Sequence, residues 1–324
     1  MTWLVTGGAG YIGAHVARAF EADGIGVVVI DDLSNGHREF VREGVPFVQA
    51  NLLDGAAVRR TLEEHAVTGV VHLAGFKFAG ESVGRPLHTY TQNVTAMIAL
   101  LDAVTDLGVR NVVFSGSAGV YGTPDVDLVT EQTPVHPESP YGETKVIGEW
   151  LLADAAAAHD LRYTSLRYFN VVGSSYDDVY DSSPHNLFPK VMKALTDGRT
   201  PQINGTDYPT PDGTPVKDHV HVGDLALAHV AAARALQEGK PLERVYNLGS
   251  GSGASVRQIM DAVRRVTGID FTPIEAPRRP GDPARIVASD ALAARDLGWQ
   301  NRYTIDEMVA SAWRSWQHRL RVNA

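Results

Sequence analysis

Cysteine is absent from the whole chain, which excludes disulfides, cysteine-ligated zinc and thiol catalysis. Long apolar runs are also missing, and none approaches the roughly 20 residues of a membrane-spanning helix. Positive charge is in short supply. There are 29 Lys and Arg against 38 Asp and Glu, a net charge of −9, and the basic residues are scattered. That balance gives no footprint for nucleic acid or for an anionic membrane as partner. An acidic protein that binds an anionic ligand must therefore build its own local positive site. Neither an internal repeat nor a low-complexity tract is present. Met1–Thr6 runs straight into a glycine-rich loop, which leaves no room for a signal peptide and predicts a cytoplasmic protein.

The 324 residues, 44% hydrophobic and 21% charged, suffice for a large α/β unit with a second lobe. Short β-branched runs occur at Trp3–Thr6, Gly26–Asp31, Pro46–Gln49, Gly69–Leu73, Asn111–Ser115 and Arg162–Tyr168. Amphipathic stretches lie between most of them, at Ile12–Asp23, Gly55–His65, Leu87–Leu107 and Tyr141–His159. Nearly all-apolar strands alternating with helices predict a doubly wound, Rossmann-type parallel sheet whose ligands sit at the strands' carboxyl ends. Beyond about residue 170 the chain turns loop-rich, with polar or Pro/Gly-dense clusters at Ser174–His185, Asp207–Gly213 and Arg278–Pro283. The expected division is a dinucleotide-binding domain over 1–168, with a return near 214–250 that includes the strand-like run Arg244–Leu248. A smaller, loop-rich α/β substrate lobe is expected over 169–324, closed by an amphipathic helix at Thr304–Arg319.

Gly7, Gly10 and Gly13 follow the first strand and open the first helix with GxxGxxG spacing. Missing side chains let the backbone approach a pyrophosphate, and the helix start offers free N–H groups. A plain strand-to-helix turn would look similar, but Asp31 ends the second strand 18 residues past Gly13. A carboxylate there accepts from an adenosine ribose and repels a 2′-phosphate, which predicts NAD rather than NADP. Asp32 reads equally as a solvated loop acid. Arg38 is the one nearby residue that argues for NADP.

Tyr141 and Lys145 form a YxxxK pair that Pro140 starts as a helix. At i and i+4 they share a face, and the ammonium is expected to lower the phenol's pKa and make it a base. Ser117, just past the fifth strand, offers a hydroxyl to the reacting oxygen. Either feature alone is weak; their order downstream of the glycine loop makes them a candidate catalytic set. His219 and His221 alternate along one run, but no third ligand accompanies them, and no metal site is expected.

At this point the chain resembles the extended short-chain dehydrogenase/reductases, and among them the UDP-glucose 4-epimerases. The matching segments are VTGGAGYIG (5–13), DDLSNG (31–36), HLAGFKFAGESV (72–83), SGSAGVYG (115–122), SPYGETK (139–145), LRYFNVVG (166–173), DYPTPDGTPVKDHVHVGDLA (207–226), YNLGSGSG (246–253) and APRRPGD (276–282). The resemblance implies that Tyr141 is the base, that Lys145 also touches the nicotinamide ribose and that Ser117 assists at the sugar 4-hydroxyl. It puts Lys77, Asn93 and Phe169 in the NAD pocket and lets the cofactor approach at Gly75. Tyr11, Ile12, Asp32, Asn35, Asn51 and Leu52 join that site, as do Leu73, Ala74, Ser115 and Tyr168. A UDP-sugar would be held by Asn170, Asn186, Leu187, Arg279 and Asp282, with Lys77 near the sugar and Lys217 and Arg279 as the diphosphate's cations. A homodimer packed through 87–107 and 141–159 is implied as well.

The chain departs from the family pattern at six places. Lys217 stands for an Arg, His219 for a Tyr and Asn204 for an aromatic at the nucleotide pocket. Asn51 stands for the Asp that contacts adenine, and Gly119 for a Thr near the sugar. Ile286 sits near the position that gates substrates with a bulky N-acetyl group. The implied activity is reversible 4-epimerisation of a UDP-hexose through a 4-keto intermediate. The alternatives are another nucleotide-sugar epimerase or decarboxylase, or a non-catalytic NAD sensor. Dehydration is disfavoured because Ala118-Gly119 stands where that chemistry needs an acid/base pair.

Overall fold

The structure, a computed structural model, describes residues 1–279 and 282–322; Pro280 and Gly281 of the APRRPGD segment lie outside the described residues. Six strands, β1 (Thr2–Thr6), β2 (Gly26–Asp31), β3 (Phe47–Gln49), β4 (Val67–His72), β5 (Asn111–Ser115) and β6 (Arg162–Tyr168), lie in one sheet. A seventh strand, Val245–Leu248, pairs with β6. The order is β3–β2–β1–β4–β5–β6 followed by Val245–Leu248, and every pairing is parallel. Strand order reverses between β1 and β4, which opens a crevice at their carboxyl ends.

Both faces of these strands are apolar because both are covered. Trp3, Val5 and Val29 pack with Phe20 of helix α1 (Tyr11–Ala22) and with Leu225 and Leu236 of the helix Val222–Gln237. Leu4, Val28 and Val70 point to the other face, toward helix α2 (Gly55–Glu64) and the long helices beyond β4 and β5. The alternation within each strand assigns successive residues to opposite cores. The helix Val222–Gln237 has no counterpart in the sequence reading. It is rich in alanine and buried along most of its length, so it lacks the stripe that marks a surface helix.

The expected single helix over 87–107 is interrupted. After α3 (Ala79–Gly84), α4 (Pro86–Tyr90) runs into a π-helical turn at Thr91–Thr95 before α5 (Ala96–Asp106). The wider turn lets Asn93 face back, accepting from the Phe76 N–H at 2.6 Å and donating to the Phe76 carbonyl at 3.0 Å. Hydrophobic periodicity does not register one wide turn, which is why 87–107 read as continuous.

Helix α6 (Pro140–Ala158) begins at Ser139, whose hydroxyl accepts from the Gly142 N–H at 3.2 Å. In the second lobe, the helices Leu187–Thr196, Val256–Thr267 and Ile305–Val322 enclose a separate core of Phe188, Met192, Ile203, Met260, Met308 and Trp316. The polar loop 174–185 is pinned to α1. Arg18 makes two bonds of 2.7 and 2.6 Å to Asp178, and the Tyr11 hydroxyl donates to the Gly173 carbonyl at 2.6 Å. Among the described residues no helix is long and apolar enough to cross a membrane.

Candidate active site

The crevice is a cavity of about 920 Å³ between the sheet's carboxyl edge and the second lobe, near the top of the usual range for a ligand site. At one end the glycine loop comes close to the strand beside it. Gly7 has φ +70°, and a Cβ there would lie 2.9 Å from the Ala74 nitrogen. A Cβ on Gly13 would lie 2.1 Å from the Gly7 carbonyl oxygen, so the helix start packs on the loop itself. Gly10 caps α1 without a side-chain bond, leaving first-turn N–H groups directed at the cavity, which Tyr11 and Ile12 line. The backbone N–H groups of Leu73 and Ala74 both donate to the Thr6 hydroxyl at 3.2 Å. Gly75 follows at φ +152°, where a Cβ would lie 2.8 Å from the Asn93 Oδ1.

Asp31 accepts from the Ala9 N–H at 3.0 Å and the Leu33 N–H at 2.8 Å, so it braces the glycine loop as well as facing the cavity. Burial raises its carboxyl above the usual range, against those two bonds. Asp32 is held below that range. Burial works against the shift, but bonds from Ser34 and Asn51 outweigh it. Asn51 donates to Asp32 at 2.7 Å and to Gln92 at 3.2 Å, while its own oxygen accepts from the Leu53 N–H at 2.9 Å. An aspartate at 51 would press a second carboxylate against Asp32, which gives the Asp-to-Asn departure a physical reason. Asn35 and Leu52 line the same end. Arg38 is turned away: it donates to the Val41 carbonyl and stacks 4.5 Å over Phe47.

In the middle stand Ser117, Tyr141 and Lys145, beside Lys77, Ser115, Tyr168 and Phe169. Lys145 is buried; its Nζ donates to the Ser115 carbonyl at 2.8 Å and lies 5.7 Å from the Tyr141 ring centre. Ser115 and Tyr168 share a short hydroxyl–hydroxyl bond. The expected lowering of the phenol is not what this arrangement gives. Burial raises Tyr141, a bond from Ser117 opposes it only in part, and Lys145 is itself lowered to about 8 by burial. The ammonium is directed at a carbonyl rather than at the phenol, so desolvation dominates. Gly119 sits tight against this group, since a Cβ there would lie 3.3 Å from the Ser117 hydroxyl, closer than an ordinary contact, and 3.7 Å from the Tyr141 ring.

At the far end Asn170 donates to the Asp218 carbonyl at 2.8 Å and Asn186 to Asp181 at 2.7 Å, while Leu187 begins its helix against the cavity. Satisfying the Asn204 amide turns its oxygen to Arg279, which donates from Nη2 and Nε at 2.8 and 3.1 Å. Lys217, expected as a second diphosphate cation, is committed elsewhere. Its ammonium donates to Asp282 at 2.6 Å and to the Pro283 carbonyl at 2.9 Å. It ties residues 282–283 to the strand that carries it, and Arg279 faces the cavity at this end. His219 also lines this end, its Nδ1 3.0 Å from the Lys217 carbonyl, with burial lowering its pKa to about 4.

Two expected residues stand behind the wall. Asn93 clamps Phe76 and donates to Thr144 at 2.9 Å instead of facing the cavity. Ile286 packs against a cluster of Val120, Phe169 and their neighbours. Conversely, Phe76, Phe78, Glu81, Asp181 and His185 line the cavity without having been singled out. The aromatics were visible in the 72–83 segment, but the residue they meet lies about 100 positions away.

The model of the NAD dependent epimerase/dehydratase family matches residues 3–249. The UDP-glucose 4-epimerase of Lactobacillus helveticus is 41% identical over 319 residues, 97% of this chain and 96% of that protein. That of Azospirillum brasilense is 42% identical over 98% of this chain and 92% of its own length. A crystal structure of UDP-glucose-4-epimerase from Stenotrophomonas maltophila, with bound NAD and formylated UDP-arabinopyranose, superposes with a TM-score of 0.94 at 39% identity, covering 100% of both chains. The Bifidobacterium longum enzyme in complex with NAD+ and UDP superposes with a TM-score of 0.90 at 36% identity, covering 98% of each. On the glycine cradle, the YxxxK pair and this full-length likeness, the chain belongs to the NAD dependent epimerase/dehydratase family.

Proposed function

We propose that the chain catalyses the reversible 4-epimerisation of UDP-galactose and UDP-glucose. The observation that carries this is the placing of Tyr141, Lys145 and Ser117 midway along one cavity, between a glycine cradle and an arginine. The cradle fits NAD: without Cβ atoms at Gly7 and Gly13 the loop lies close against residues 73–74 and against the helix start, and that helix start is uncapped. Bound NAD supplies the hydride acceptor and donor at the sugar's C4.

In this reading Tyr141 takes the 4-hydroxyl proton as the C4 hydrogen leaves as hydride, which gives a 4-keto sugar. Ser117 holds the same oxygen and keeps its proton aligned. Lys145 binds near the nicotinamide ribose and carries positive charge beside the phenol. Arg279, braced by Asn204, grips the diphosphate in a bidentate fashion. Asn170, Asn186 and Leu187 hold the nucleotide end, so the keto sugar turns while its UDP stays anchored. Tyr141 then returns its proton to O4 as hydride returns to the opposite face of C4.

The two-lobe division belongs to the same reading, with 1–168 and a return over 214–250 for NAD and the remainder of 169–324 for the UDP-sugar. So do a cytoplasmic location, which cell fractionation tests, and a homodimer. Exposed Leu87, Ile98 and Trp150 on α4, α5 and α6 support the dimer. Sedimentation equilibrium should return twice the 34.9 kDa chain mass, and a monomer mass removes it. The direct test of activity is to incubate the protein as purified with UDP-galactose and no added cofactor. UDP-glucose is expected; none, even with NAD+ supplied, overturns the assignment.

A further inference from the structure

We propose that Glu149 is a positioning residue for Lys145: through Ser165 and Arg167 it seats the Ser115–Ser117 segment against α6, and its carboxylate keeps the Lys145 ammonium charged. This rests on the reading that Tyr141, Lys145 and Ser117 carry out the proton transfer. Glu149 is not among the described residues that line the cavity, so it acts through the side chains it holds.

Tyr141, Lys145 and Glu149 follow one another at four-residue intervals on α6 and share a face. That face meets β5 and β6. Lys145 donates to the Ser115 carbonyl of β5 at 2.8 Å. Glu149 Oε1 accepts from the Ser165 hydroxyl at 2.9 Å and from Arg167 Nε at 2.8 Å, and its Oε2 accepts from Arg167 Nη2 at 2.5 Å. Arg167 Nη1 donates onward to the Tyr121 hydroxyl at 2.8 Å, which donates to Asn247 Oδ1 at 2.7 Å. Gly116 joins the two sets of bonds. A Cβ there would lie 2.6 Å from the Ser165 hydroxyl oxygen and 3.0 Å from Arg167 Cγ. The backbone between Ser115 and Ser117 therefore rests on the two side chains that Glu149 grips, while the carbonyl before it receives Lys145.

The Glu149 and Arg167 side chains are only 10% and 6% exposed. Burying such a pair is costly, and an apolar pair of similar volume would often hold two elements at least as firmly. Lys145 gives the charge a use besides packing. Its ammonium is buried and bonded to a neutral carbonyl. Phe114 of β5 lies 5.0 Å from Nζ, and His72 of β4, stacked on Phe114, is lowered to about 3 by burial and stays neutral. Burial raises Tyr141 on the same helix and Tyr168 of β6, so neither phenol supplies a standing negative charge. Glu143, also on α6, is bonded to Tyr90 of α4. Glu149 is the carboxylate that opposes burial at Lys145. Without it desolvation acts alone, and Lys145 gives up its proton at lower pH.

The test reads the protonation of Lys145 directly, from the carbon-13 resonance of lysine Cε in the NAD-containing protein. Six lysines are present, and the signal lost in Lys145→Met identifies the one in question. Glu149→Gln keeps the size of the side chain and removes its charge. The Lys145 midpoint should fall by about one pH unit. The alkaline limb of kcat for UDP-galactose should move down with it, while KM stays within about twofold. Retained NAD and an unchanged circular dichroism spectrum certify the fold. Should Glu149→Gln fail to fold because Arg167 is left buried and unpaired, Glu149→Gln combined with Arg167→Gln removes both charges and carries the same expectation in the same direction. A midpoint that stays in place or rises in a folded variant overturns the proposal. So does a kcat that falls equally at every pH, which is what a purely structural role gives. The midpoint is read without turnover, so a protein that failed to convert UDP-galactose would sink the epimerase assignment while the Lys145 titration still decided this inference.

Discussion

Tyr141→Phe should lower turnover of UDP-galactose by at least about a thousandfold, equivalent to about 4 kcal/mol in the barrier, while NAD stays bound. The half-buried phenol lies within reach of Ser117, and among the described residues lining the middle of the cavity it is the group best placed to take a proton from a sugar hydroxyl. Phenylalanine keeps the ring and its packing and removes only the oxygen. The glycine cradle, Asp31 and the 73–75 backbone are untouched, so cofactor content should not change. Burial alone raises the phenol, and the ionised form therefore depends on positive charge supplied nearby. Lys145, lowered to about 8, is the protein's own source of it. The coupled conversion assay and the NAD released on denaturation decide the matter. A variant within tenfold of the parent would remove Tyr141 from the role of base.

Gly13→Ala should strip the cofactor. The added Cβ would sit 2.1 Å from the Gly7 carbonyl oxygen and 2.8 Å from the Gly8 Cα, roughly 1 Å short of an ordinary carbon–oxygen contact. All the obstructing atoms are backbone, so no side chain can turn aside, and the loop must move off the helix start. Overpacking of this kind costs about 1–3 kcal/mol of stability, and the displaced N–H groups no longer converge on one anion. NAD released from the purified variant should fall roughly tenfold, since each 1.4 kcal/mol is a factor of ten in binding. Full occupancy in Gly13→Ala would mean that the cradle is not where the pyrophosphate sits.

The parts of the molecule written in local spacing were legible in the sequence. Strands β2, β5 and β6 run over the residues their apolar composition indicates, and Asp31, Tyr141 and Lys145 project from the expected elements into one cavity. What escaped was written elsewhere. The helix Val222–Gln237 is buried along most of its length and so lost its periodic signature, and one π turn re-aimed Asn93. The pairings that shape the far end, Lys217 with Asp282, Asn204 with Arg279 and Phe78 with His185, join residues far apart in the chain. The direction of the Tyr141 shift was misjudged for the same reason. Helical spacing predicts which face Lys145 shares with Tyr141, but not that its ammonium would be directed at the Ser115 carbonyl.

In the proposed reaction hydrogen leaves C4 and returns to the same carbon within one cavity. The conversion run with UDP-galactose deuterated at C4, in ordinary water, tests it most directly. Retention of the label at C4 of the UDP-glucose formed is the predicted result. Replacement of that deuterium by solvent hydrogen would contradict the account, because it would mean that C4 is deprotonated rather than oxidised.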